Sequence, residues 1–372
     1  MEHFIEKRLQ SLVACMVAKD IDTFLALIPE NRYYLSGFTG EDTGCAESAG
    51  ALVISENHRI LATDSRFILQ AEAEAAGFDI QCYKKGLAEL LPDLLDQTGT
   101  RRLGFESEKM TVNLLTAIRG KIRDRGQNID LVETKGFVEE MRAIKSEIEI
   151  EKIKESCMVA DRAFTVFMNF ISEEMTEKQA AWALEKAIRE QGADSLSFPV
   201  IAASGENSAL PHAIAKARRF KTCEPLLFDW GARLNGYCSD ATRTLVIGKP
   251  DSRFTEVFNA VYDAHMKAFD AVRPGITTLK TDAVARDFLC EKGLGDFFGH
   301  GLGHGVGIGV HEQPSLSPLA ERETIIEENM VITIEPGVYI PGWGGVRLEN
   351  MIIVKSNGAE PVNSIDLRLS PL

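Results

Sequence analysis

The sequence predicts two domains: a small α/β domain over residues 1–136, and a larger one over residues 137–372 that opens on a long helix and continues through extended runs. Three observations lead there. A chain of 372 residues exceeds one domain at roughly 150 residues each. Helical and extended patterns alternate through the first third, as in α/β domains. A helix-start signature then appears near Met141, followed by a long amphipathic stretch.

In the first domain the extended runs are Thr23 to Ile28, Gly50 to Ile54 with Ile60 to Thr63, Ile80 to Tyr83, and Arg102 to Phe105. Helical periodicity over Leu87 to Leu95 and Val112 to Arg125 separates them. No G-x-G-x-x-G follows a strand, so a dinucleotide site has no support. At the boundary, Ser146 and Glu149 have the spacing of a capping box. Behind it Ile150, Ile153, Cys157, Ala160, Phe164, Phe167 and Ile171 recur at three- and four-residue steps, which puts them on one helix face.

Charge narrows the function. With 41 Lys+Arg against 55 Asp+Glu the net charge is -14, which disfavours nucleic acid or an anionic membrane as partner. No segment approaches the ~20 apolar residues of a membrane span, and the start lacks the pattern of a secretory signal, so a cytosolic protein is expected. The seven cysteines lie far apart with no C-x-x-C pair. They are expected to be reduced and mostly buried, with neither a disulfide framework nor a thiolate zinc site.

The most informative stretch runs from Leu226 to Ile247, two extended runs meeting at Asn235-Gly236, a strong hairpin signal. With that turn, Leu234 faces Tyr237 and Asp229 faces Thr242, so Asp240 is the diagonal same-face neighbour of Asp229 at roughly 7–8 Å between Cα atoms. Two buried carboxylates that close repel each other and call for a cation between them. Arg243 is the competing partner, and a one-residue slip would put the acids on opposite faces.

Glycine occupies every odd position from 299 to 309, which strips side chains from one face of an extended segment and leaves His300 and His304 on the other. Three of seven histidines, His300, His304 and His311, fall within twelve residues. Imidazole is both a metal ligand and a proton shuttle. The spacing matches neither a P-loop nor a dinucleotide pattern. His3, His58 and His265 stand outside the cluster and read as surface or satisfied core residues.

Met330 to Glu335 reads as a strand with Glu335 at its tip, before Pro336-Gly337. Gly344 to Val354 reads as one further strand, with Arg347 and Glu349 on the same face. Taken alone, Glu349 reads as a salt-bridge partner of Arg347 or an edge position. Taken together, Asp229, Asp240, His304, Glu335 and Glu349 supply four negative charges and one imidazole, which matches two divalent cations. Oxygen-rich ligation suits Mn²⁺, with Co²⁺ or Zn²⁺ also open.

These residues stand in Phe228-Asp-Trp-Gly-Ala232, Cys238-Ser-Asp-Ala-Thr-Arg-Thr244, Gly303-His-Gly-Val-Gly307, Ile334-Glu-Pro-Gly337 and Val346-Arg-Leu-Glu-Asn350. The order resembles the Xaa-Pro aminopeptidase and prolidase branch of the pita-bread metallopeptidases. The first third, with Asn31 to Gly40, is similar to the creatinase-type N-terminal domain of that branch. The resemblance implies an α/β creatinase-like domain (1–136) before an α+β pita-bread catalytic domain (137–372). It further implies two divalent ions per subunit, Mn²⁺ first, and hydrolysis of the bond between an N-terminal residue and a following proline in a di-, tri- or short oligopeptide.

By the same resemblance, Asp240 and Glu349 would bridge the metals, Asp229 would chelate one, and His304 and Glu335 would complete the other sphere. Glu335 would carry the proton, His311 would contact the substrate or oxyanion, and His300 and His212 would line the pocket. Arg347 would orient Glu349. Between His311 and Glu335 the only basic residue is Arg322, the candidate clamp for a dipeptide carboxylate; the expectation leans slightly toward tripeptides and longer. Homodimerisation is implied by the family alone. The alternatives are a methionine-aminopeptidase-like enzyme, which usually lacks so large an N-terminal domain, and a metal-free peptide-binding or scaffolding protein on the same fold, which the complete ligand set disfavours.

Overall fold

Every strand but one in the first sheet runs the same way, as an α/β domain requires. The structure, a computed structural model, describes residues 2–42, 44 and 47–369; Cys45, one of the seven cysteines, and the side chain of His3 lie outside them. The chain divides into two compact units, Met1–Arg142 and Ala143–Leu372.

The first unit contains, in order, α1 (Glu2–Ala18), β1 (Thr23–Ala26), α2 (Pro29–Ser36), β2 (Ala51–Ser55), β3 (Arg59–Thr63), α3 (Ile68–Glu74), β4 (Asp79–Cys82), α4 (Leu87–Thr98), β5 (Arg102–Glu106), α5 (Val112–Asp124) and β6 (Asp130–Thr134), with α6 (Phe137–Ala143) at its end. The sheet order is β4-β3-β2-β1-β5-β6. Only β2 runs antiparallel to its neighbours. Each extended run read from the sequence is a strand, and β6 adds one whose weak apolar pattern gave no signal. The Asn31 to Gly40 stretch folds as α2, which Gly37 stops at φ 81, a left-handed cap that favours glycine. Asn31 Nδ2 donates to the buried carboxylate of Glu106 at 2.6 Å.

The second unit opens on α7 (Glu147–Met168) and α8 (Glu177–Glu190). At the start of α7, Glu149 Oε2 accepts from Ser146 N at 3.0 Å and from the Ser146 hydroxyl at 2.8 Å. Ile150, Ile153, Cys157, Ala160, Phe164 and Phe167 are buried as the periodicity requires, whereas Ile171 lies beyond the helix end at Met168; Phe164 stacks on Trp230 with ring centroids 3.9 Å apart. Then come β7 (Ser195–Leu196), β8 (Ile201–Ser204), β9 (Leu226–Trp230), β10 (Ala232–Leu234), β11 (Tyr237–Cys238) and β12 (Ala241–Leu245). After the helices α8 (above), α9 (Ser252–Ala271) and α10 (Thr278–Glu291) the chain runs through β13 (Gly303–Gly305), β14 (Glu312–Leu316), β15 (Val331–Ile334), β16 (Gly337–Ile340), β17 (Gly344–Arg347), β18 (Asn350–Lys355) and β19 (Gly358–Pro361). The sheets that carry the site are β12-β9-β8 and β14-β13-β15-β18-β19.

Three expectations are corrected. The single strand expected over Gly344 to Val354 is two strands in different sheets: β17 pairs with β16, and β18 pairs with β15. The chain changes partner at Leu348-Glu349, where Leu348 N donates to Pro336 O and Glu349 N to Thr242 O. Of the six described cysteines, all free, only Cys157 and Cys238 are buried, whereas Cys82, Cys223 and Cys290 are exposed. His265 is buried in α9, but neither ring nitrogen has a hydrogen-bond partner, so it is a core residue without satisfaction. Among the described residues no helix is long and apolar enough to cross a membrane.

Candidate metal centre

The hairpin has the register the turn dictates. Leu234 faces Tyr237 and Asp229 faces Thr242, with both turn residues at positive φ, 52° at Asn235 and 80° at Gly236. Those angles are the signature of a type I′ turn, whose twist matches the flanking strands. Asp229 and Asp240 are both buried.

The glycine-rich stretch brings His304 to them. Only Gly303–Gly305 is strand, shorter than the odd-position pattern suggested, but its glycines are needed for close approach. A Cβ at Gly303 would stand 2.1 Å from Thr333 O, and one at Gly305 would stand 2.1 Å from Gln313 O. His304 Nδ1 lies 3.1 Å from Gly305 O, which leaves Nε2 to the acids: 3.2 Å to Glu335 Oε1 and 3.7 Å to Asp240 Oδ2. Ligand atoms of Asp240, His304 and Glu349 lie within 4.8 Å of one another, a spacing that could hold a metal ion.

Whether these residues fit a cation can be judged from their unmet polar atoms and their charge. Asp229 Oδ1 and Glu349 Oε1 are buried with no hydrogen-bond partner, and such atoms are costly unless something positive meets them. Burial pushes the carboxyls of Asp229, Asp240 and Glu349 upward, with neighbouring acids adding to it; Glu349 reaches about 8. Burial also opposes charge on His304, but the Glu335 hydrogen bond and charge prevail and raise it to about 9. Glu335, despite burial, is held down to about 2 by His304. Protein alone thus leaves the acids under-compensated, and a divalent cation fits.

Arg347 does not pair with Glu349. Its Nη2 donates to Asp229 Oδ2 at 2.5 Å, and its Nε donates to the Thr242 hydroxyl oxygen at 3.0 Å. That hydroxyl donates to Glu349 Oε2 at 2.6 Å, so Arg347 orients Glu349 through Thr242. Arg243, the expected competitor, spends its donors on carbonyls and on Asn350 Oδ1 instead of on Asp229 or Asp240.

Among the remaining candidates, the His311 ring lies 4.3 Å from the His304 ring, and burial and His304 lower it to about 4. His300 Nε2 lies 3.0 Å from the Tyr339 hydroxyl, whose oxygen accepts from Arg347 Nη1 at 2.7 Å. His212 is exposed on the segment whose Pro211 carbonyl accepts from Arg347 Nη1 at 3.1 Å. Arg322 is exposed on the connection between β14 and β15. The sequence placed Thr242 opposite Asp229 but gave it no role at the site, and it gave no role to Thr333 or Tyr339. Thr333 Oγ1 accepts from His304 N at 3.0 Å and donates to Glu335 Oε1 at 3.1 Å. Period two placed Thr333 on the face of Glu335, which was the only available signal.

A hydrolase built on clustered acids and an imidazole is the class this fold and centre define, and the chain belongs to metallopeptidase family M24, whose pattern residues 151–356 match. Residues 8–144 match the creatinase/prolidase N-terminal domain. The protein is therefore a metal-dependent hydrolase with a creatinase-type first domain and a pita-bread catalytic domain. It is 32% identical to an Xaa-Pro dipeptidase of Pyrococcus furiosus over 98% of this chain and 100% of the relative. Two solved structures are similar along nearly the whole chain. An Xaa-Pro dipeptidase from Bacillus anthracis has a TM-score of 0.91 at 35% identity, covering 99% of this chain and 100% of that one. An X-Pro aminopeptidase from Thermotoga maritima has 0.88 at 33%, covering 98% and 99%.

Proposed function

We propose that the protein is an exopeptidase that hydrolyses the bond between an N-terminal residue and a following proline. The observation that carries this is the meeting of buried Asp240 and Glu349 with half-buried His304, in a chain similar over nearly its full length to Xaa-Pro peptidases. Asp229, Asp240, His304, Glu335 and Glu349 would hold two divalent ions, Mn²⁺ first. Such a pair lowers the pKa of a water and polarises a carbonyl. Glu335 takes the proton of the attacking water and passes it to the departing imide nitrogen. His311, beside His304, donates to the developing oxyanion. His300 and His212 line the substrate's approach, and Arg347 keeps Asp229 and, through Thr242, Glu349 in place.

The dipeptidase names of two relatives support Xaa-Pro dipeptides as substrates, and that of a third supports longer peptides. The proposal extends to residues 1–136 as the creatinase-type domain, 137–372 as the catalytic domain, and a cytosolic homodimer. Purified protein with added Mn²⁺ should release the first residue from Ala-Pro, Gly-Pro or an Xaa-Pro tripeptide; no release from any of them ends the reading. Arg322→Ala should selectively impair dipeptides if that arginine clamps their carboxylate, and equal effects on both lengths would remove that role. Sedimentation at working concentration tests the dimer.

A further inference from the structure

We propose that Lys145 is a positioning residue for His311, acting through a buried ion pair with Glu312. Lys145 Nζ lies 2.9 Å from Glu312 Oε1, with the two side chains 1% and 4% exposed. The same ammonium donates to Ala143 O at 3.2 Å, and Lys145 N donates to Asn329 O at 3.0 Å, so its stem is fixed at both ends. The other oxygen, Glu312 Oε2, accepts from Gly309 N at 3.2 Å. The carboxylate thus folds back onto the turn that precedes its own residue. A side chain at Gly307 would collide with it, since a Cβ there would stand 2.2 Å from Glu312 Oε1.

From the other side, the hairpin of Asp240 holds the same turn. Cys238 N donates to Gly307 O at 2.7 Å, and Cys238 Sγ lies 3.4 Å from Ile308 O. The segment from Gly307 to His311 is therefore clamped between β11 and the Lys145–Glu312 pair. It needs clamping: two of its residues are glycines, which lose the most conformational freedom when fixed. Although residue 311 as a whole reaches solvent, its ring lies 4.3 Å from that of His304, and the backbone clamped on both sides fixes where that ring sits. A buried ion pair adds little net stability over apolar residues of the same size, because desolvation offsets the attraction. Fixed geometry at His311 is what this pair provides.

What His311 then does to substrate rests on the peptidase reading above; its placement does not. Lys145→Met alone leaves Glu312 charged and buried, so the decisive variant is Lys145→Met/Glu312→Gln, which carries no buried charge. Three measurements are made on the full-length protein: hydrogen exchange over residues 305–311, manganese bound per subunit, and kcat and KM on an Xaa-Pro peptide. The double variant should exchange that segment at least about tenfold faster, retain its manganese, and lose about tenfold to a hundredfold in kcat with KM changed by less than about twofold. In a His311→Asn background the same pair of changes should cost no further kcat, since residues acting through one another are not additive. Unchanged exchange, lost manganese, or an additive fall in kcat would each overturn the proposal. If the unaltered protein cleaves no Xaa-Pro peptide, the peptidase reading fails, while the exchange measurement still decides whether Lys145 holds the segment.

Discussion

Arg347 holds Asp229, with Nη2 donating to Asp229 Oδ2 at 2.5 Å across 118 residues of sequence. Both groups are buried. The guanidinium therefore meets the charge of one of the two acids outside the three-residue cluster, Glu335 being the other, which His304 meets at 3.2 Å, while Glu349 Oε1 is left with no hydrogen-bond partner.

Arg347→Met removes that partner while keeping much of the apolar stem. Breaking a buried pair from one side costs about 3–5 kcal/mol, and groups that orient ligands typically change metal affinity by about 10–100-fold. Urea unfolding and manganese titration should both register the change. Unaltered metal affinity would show that Asp229 does not depend on Arg347 for its orientation.

Thr242→Val should separate the two jobs of Arg347. Valine preserves shape but removes the hydroxyl between Arg347 Nε and Glu349 Oε2. Manganese affinity is expected to fall about tenfold, with the Asp229 pair left intact. Titration calorimetry measures it, and affinity equal to that of the unaltered protein would discount the Thr242 link.

Chelation should make stability pH-dependent with a particular sign. Glu349 is raised from 4.5 to about 8 by burial and by the nearby acids, chiefly Glu335 and Asp229. The native state then holds a proton that the unfolded chain releases, so stability falls as pH rises through that window, by up to about 1.4 kcal/mol per unit. His304, raised from 6.5 to about 9, gives the same sign over the upper part. Excess Mn²⁺ should reverse the loss, adding about 2.7 kcal/mol at a hundred times its Kd. A chelated protein with equal melting temperature at pH 5 and pH 8 would contradict this.

His265 gives the opposite slope. Burial lowers it from 6.5 to about 3, with the Arg243 charge assisting. Between those values the unfolded chain binds a proton that the native state refuses, so stability drops as pH falls, again by up to about 1.4 kcal/mol per unit. His265→Leu removes two unsatisfied buried nitrogens, and should raise stability by about 1–3 kcal/mol and flatten the difference between pH 6 and pH 4. Denaturant midpoints at the two pH values decide it; an unchanged slope would mean that His265 has a partner in solution.

Local chemistry determined what could be read from the chain. The Asn235-Gly236 turn fixed the pairing of Asp229 with Thr242, because a two-residue loop leaves one register in which the apolar face stays inward. The helix face from Ile150 to Phe167 and the strand pattern of the first unit were legible for the same reason, since period 3.6 and period two are properties of neighbours. Only the tertiary structure decided which charge meets which. Period two put Arg347 beside Glu349, but the chain leaves one sheet for another between them, and Arg347 finds Asp229 instead. Thr242 joins the centre through a contact 107 residues apart, and His265 is stranded in a core that gives it no partner. Such pairings depend on how separate strands and helices come together, and sequence spacing carries no distance across that gap.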